Sequence, residues 1–131
     1  MIWTLHRGDS MRWLLDAPDC SVDALITDPP YSSGGAFRGD RMASTDAKYT
    51  STEFQGRRPD FDGDNRDQRS LLAWMAVWLW EAKRVLLPGA PVVLFTDWRQ
   101  LPTVTDALQA GGMVHRGIAV WDKTEAARPQ I

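Results

Sequence analysis

Residues Leu25–Gly35 read LITDPPYSSGG. A run of β-formers ends on an aspartate, two prolines and a tyrosine, and a Ser/Gly tail follows. The run begins upstream, in SVDALIT (Ser21–Thr27), which predicts a strand that delivers Asp28 at its carboxyl end. Pro29 and Pro30 fix φ at two successive positions and have no N–H, so the Asp28 carboxylate and the nearby carbonyls are held in one geometry with their acceptors exposed.

Working outward, IWTLH (Ile2–His6) reads as a short strand ending at Arg7 and Gly8. Asp9 is placed to cap a helix, SMRWLLDA, in which Met11, Leu14 and Leu15 share a face and which Pro18 stops. After Tyr31 the periodicity vanishes from about residue 32 to residue 66, in a segment rich in Gly, Ser, Thr and charge, which predicts a flexible loop. DQRSLLAWMAVWLWEAKRVLLPGA then predicts a long helix capped by Asp67 and stopped by Pro88 and Gly89. Its apolar row is Leu71, Trp74, Trp78, Glu81 and Val85, widened by Leu72, Met75 and Leu79. Trp74, Trp78 and Trp80 at this spacing predict core rather than a base platform.

PVVLFT (Pro91–Thr96) is a continuous apolar run, the pattern of a strand buried on both faces. LPTVTDALQAGG follows as a helix with Pro102 near its start, and MVHRGIAVWDK as a last strand. The order predicts an α/β fold, a three-layer sandwich with a mostly parallel sheet, Rossmann-like, occupying residues 1–131 as one region. Ligands of such folds sit at the carboxyl ends of the strands, where Asp9, Asp28 and Asp97 all fall. Asp97 itself reads as the cap of the helix that follows it.

Composition narrows the function. A chain of 131 residues, 44% hydrophobic and 24% charged, is globular, and its net charge of −2 excludes a generally basic nucleic-acid-binding surface. Nucleic-acid contacts must then be local. The single cysteine, Cys20, forms no internal disulfide or thiolate cluster, and no leader or membrane span is visible, so the expectation is a soluble cytoplasmic protein.

At Asp28 the acceptor pair suits an exocyclic amine. The two amine hydrogens go to the Asp28 carboxylate and the Pro29 carbonyl, which draws the nitrogen lone pair out of conjugation and towards an electrophile. Tyr31 offers a flat face for stacking on a base.

GDSMRWLLDAPDCSVDALITDPPYSSGG resembles the opening of the amino-directed DNA methyltransferases acting on N6 of adenine or N4 of cytosine, in the subgroup whose catalytic half comes first. The resemblance continues through EAKRVLLPGAPVVLFTDWRQLPTVTDALQAGG to GIAVWDK. It implies that Asp28, Pro29, Pro30 and Tyr31 form the catalytic tetrapeptide and that the target base is flipped from DNA. It also implies that S-adenosylmethionine donates the methyl group, with Asp9, Asp28 and Pro29 on the cofactor side. An Asp-led tetrapeptide favours adenine over cytosine. RNA or protein-glutamine methylation and a non-catalytic nucleic-acid-binding remnant are the alternatives.

Between Ala36 and Arg58, the cations Arg38, Arg41, Lys48, Arg57 and Arg58 outnumber Asp40, Asp46 and Glu53, with Phe37, Tyr49 and Phe54 interleaved. This suits a loop closing over DNA phosphates. Trp121 is a candidate for the base pocket and Lys123 for phosphate. DFDGDNRD (residues 60–67) lacks the terminal Glu of a calcium loop, and no metal site is expected. The Gly-rich strand-to-helix turn that would hold the methionine part of the cofactor is missing from the sequence. The expectation is an incomplete domain, read first as a fragment of a longer chain; the alternatives are one half of a split enzyme, with a complementing cofactor-binding half or a second subunit supplying the remainder, and a decayed gene product.

Overall fold

In a computed structural model of the chain, residues 2–31 and 65–122 are described. The elements there follow in the order α1 (Ser10–Asp16), β1 (Leu25–Thr27), α2 (Gln68–Val85), β2 (Val92–Leu94) and α3 (Leu101–Ala110).

Each helix begins and ends for a local reason. The Asp9 carboxylate accepts from the Met11 N–H at 2.8 Å and caps α1. Asp67 does the same for α2, accepting from the Ser70 N–H at 2.9 Å. Helix α2 stops at Val85, three residues before Pro88, and a tight turn follows in which the Ala90 N–H reaches the Leu87 carbonyl at 2.9 Å. Pro88 sets the first corner of that turn, and Gly89, at φ +83°, takes the left-handed second corner of a type II turn. Helix α3 ends at Gly111 and Gly112. The N–H of Met113 reaches the Leu108 carbonyl and that of Gly112 the Gln109 carbonyl, a paired closure that places Gly112 at φ +78°.

Strands β1 and β2 pair in parallel, with Leu25 opposite Val92, Ile26 opposite Val93 and Thr27 opposite Leu94. A further parallel bridge joins Val22 to Leu86. The core lies between α2, α3 and one face of this pair. Leu71, Met75, Leu79, Val104 and Ala107 are buried together, with Leu94 packed against them. A second group, Leu14, Ala82 and Val85, joins α1 to the C-terminal half of α2, with Val22 and Leu25 against it. Complete burial of one such Leu, Met or Val side chain contributes about 1.5–3 kcal/mol.

Arg84 ties α1 to α2. Its guanidinium donates to the carbonyls of Leu14 (2.7 Å) and Ala17 (3.0 Å) at the end of α1, where the Leu14 carbonyl also accepts from the Ala17 N–H at 3.2 Å. It also pairs with Glu81 at 2.9 Å and with Asp19.

Several sequence expectations are corrected. The buried row of α2 is Leu71, Met75, Leu79, Ala82 and Val85, one residue out of phase with the row through Trp74, Trp78 and Glu81. Trp74 and Trp78 flank the core, their rings edge-to-face at 6.2 Å, whereas Trp80 is exposed beside Lys83. Ile2–His6 and the described part of the last expected strand, residues 113–122, are not strands. A strand exists only through a ladder partner, and among the described residues neither segment has one. Two strands therefore pair where a larger sheet was expected. The helices cover one face of them, so the described residues form two layers, not three. Val93 is 48% exposed and Ile26 72%, on the face away from the helices. The continuous apolar pattern of β2 thus belongs to a strand packed on one side only. Among the described residues no helix is long and apolar enough to cross a membrane.

Candidate functional site at the carboxyl end of the strand pair

Because β1 and β2 run in parallel, both chains leave the sheet at the same end, on strands about 4.8 Å apart. The last rung is the Phe95 N–H donating to the Thr27 carbonyl at 3.0 Å. Asp28 follows immediately. It is exposed and continues the exposed alternation of Ile26, whereas Pro29 is buried and Pro30 and Tyr31 are half-buried. The buried, rigid proline anchors the segment while the carboxylate before it stays accessible. The Asp28 carboxylate, expected from the sequence to be an acceptor, is therefore accessible to solvent.

The neighbouring exit from β2 is a turn closed by Asp97. One carboxylate oxygen accepts from the Gln100 N–H at 2.9 Å. The other accepts from Arg99 at Nε (3.2 Å) and Nη2 (3.1 Å). Asp97 thus holds the turn that leads into α3, close to its expected capping role, although the side chain reaches the residue before the helix rather than the helix itself. Trp98 projects from this turn, 81% exposed, with the Arg99 guanidinium carbon 5.9 Å from its ring centre. The sequence reading passed over Trp98. The signal was available in TDWRQLP, where an Asp-led turn must place one of its next residues outward.

Asp9 caps α1 and is exposed, and the run before it is not a strand. Trp121 reaches the strand pair, its ring edge-to-face with Phe95 at 6.1 Å, and remains 72% exposed. Arg38, Arg41, Lys48, Arg57, Arg58 and Lys123 lie outside the described residues, as does most of DFDGDNRD. Among the described residues no three His, Cys, Asp or Glu side chains cluster to hold a metal ion.

For S-adenosylmethionine the described residues are an incomplete fit. Asp9 and Asp28 are both exposed, and the Asp9 carboxylate is engaged as a helix cap. Neither carboxylate lies in an enclosed pocket among the described residues.

Comparison with known proteins gives a partial similarity. Over 37 residues the chain is 49% identical to the Type II methyltransferase M.BglII of Bacillus subtilis, a match covering 28% of this chain and 10% of that protein. The chain thus matches about a tenth of the length of this curated relative. No protein-family model matches the chain, and no solved structure does.

Proposed function

We propose that this chain carries the amine-binding part of a DNA methyltransferase, with N6 of adenine as the target atom. The observation that carries the reading is the pairing of an exposed Asp28 with a buried Pro29 at the carboxyl end of β1. The similarity to a Type II methyltransferase supports it. In this reading the Asp28 carboxylate and the Pro29 carbonyl accept the two amine hydrogens. Tyr31 stacks on the flipped base, offsetting part of the few kcal/mol that unstacking costs. S-adenosylmethionine, when bound, supplies an electrophilic methyl group. Asp28 need not be a strong base, because the amine proton leaves only as the new N–C bond forms.

The test is transfer of labelled methyl from S-adenosylmethionine to duplex DNA, followed by digestion to nucleosides. With a complementing cofactor-binding half present, N6-methyladenine is expected from the parent protein, with at least about a 100-fold loss in Asp28→Ala, the scale of removing one preorganised hydrogen-bonding group. N4-methylcytosine in the digest would move the target to cytosine. DNA binding equal in parent and variant, with no methylation by either even when a complementing half is supplied, would make the chain a binding module.

A further inference from the structure

Trp98 stands where its chemistry bears on the proposed site. A parallel pair has one carboxyl end, and both the Asp28–Tyr31 segment and the Thr96–Gln100 turn emerge from it. The turn is rigid. Asp97, its side chain 18% exposed, receives the Gln100 N–H and both Arg99 donors, and Gln100 is itself buried. An indole on a loose loop would average over many orientations. This one is held on a braced turn and is almost fully exposed.

The chemistry of the surroundings selects the occupant. Two carboxylates, Asp28 and Asp97, belong to this end of the sheet, so the field there does not favour phosphate. The nearby cation, Arg99, is directed onto Asp97. A polyanionic strand is therefore met here through its uncharged base faces rather than its backbone. A neutral aromatic ring backed by a guanidinium suits a base face.

We propose that Trp98 is a second stacking platform, taking a nucleobase next to the one whose amine Asp28 and Pro29 accept. This rests on the DNA reading above and adds a contact that the catalytic tetrapeptide does not supply. Tyr31 holds the target base, and Trp98 fixes the strand beside it.

The experiment measures binding of fluorescein-labelled single-stranded and duplex oligonucleotides by anisotropy across a salt series, with Trp98→Ala and Trp98→Phe beside the parent. Trp98→Ala is expected to lose about tenfold or more in affinity, the scale of one base–aromatic stack, and Trp98→Phe to recover most of it. The slope of affinity against salt is expected to stay unchanged, because a stack releases no counterion. The parent's indole emission is expected to be quenched by the oligonucleotide, and part of that quench to disappear in Trp98→Phe, a readout that does not depend on the stability of the alanine variant. Parent-like affinity in Trp98→Ala overturns the platform while leaving the Asp28 methylation result standing. A salt slope lowered by about one overturns it in favour of a charge contact. Unchanged DNA affinity with an altered sedimentation coefficient overturns it in favour of a protein partner. If the parent binds neither oligonucleotide, the DNA reading and the platform fall together.

Discussion

Asp28, Pro29 and Gly89 show how much a single position carries. The alternation of exposure along Ile26, Thr27 and Asp28 continues into a buried Pro29, so the strand end leaves the Asp28 carboxylate accessible beside an anchored proline. Gly89 has a comparable constraint of a different kind. At φ +83° a Cβ is strained although nothing lies within 4 Å of where it would stand, so the cost is conformational rather than a clash. Gly89→Ala is expected to lower stability by about 1–2 kcal/mol, read as a shift of the urea midpoint at unchanged slope. Asp9, Asp67, Pro88 and Gly89 were all legible in the sequence, because caps and turns depend on residues a few positions apart. Trp98 was not. Its exposure follows from Asp97 closing the turn with Arg99 and Gln100, and adjacency in sequence does not say which of these side chains turns inward.

Among the elements, α2 sets the packing. Its helical period was plain, but its phase was misplaced, because tryptophans suit a core centre and a core flank equally well by hydropathy. Contact with α3 decides the phase. Gly111 lies against Leu79, and a Cβ there would stand 2.6 Å from the Leu79 Cβ and 3.3 Å from its backbone carbon. Neither is the movable tip of a side chain. Gly111→Ala is expected to push α3 away from α2 and cost about 1–3 kcal/mol, seen as a lower urea midpoint with far-UV helix signal retained at zero denaturant. At the other end of α2, hydrogen bonds to Glu81 and then Asp19 hold the Arg84 guanidinium above the usual arginine range. A raised folded-state value gives stability that is complete below the unfolded value and is lost only as pH rises through the folded one. The α1–α2 tie therefore does not weaken through neutral pH.

Across the whole molecule, the sheet decides what the chain can do. Helices on one face leave Ile26, Val93 and Phe95 open on the other, an arrangement unlike parallel sheets in general, which are covered on both sides. The carboxylates proposed for the cofactor side, Asp9 and Asp28, share this openness. Calorimetric titration of the 131-residue chain with S-adenosylmethionine is expected to show no binding tighter than roughly 1 mM. Micromolar binding would mean that these residues enclose the cofactor after all. The sequence by itself determined the helices, their caps, the glycine turns and the Asp-Pro-Pro-Tyr end of β1, because each is written in local spacing and backbone chemistry. Only the tertiary structure decided that β1 and β2 are immediate neighbours, that Ile2–His6 and residues 113–122 form no strand, and that Trp98 stands outward at the carboxyl end of the strand pair. Strand pairing and exposure are relations between distant segments, and a local pattern specifies the need for a partner without supplying one.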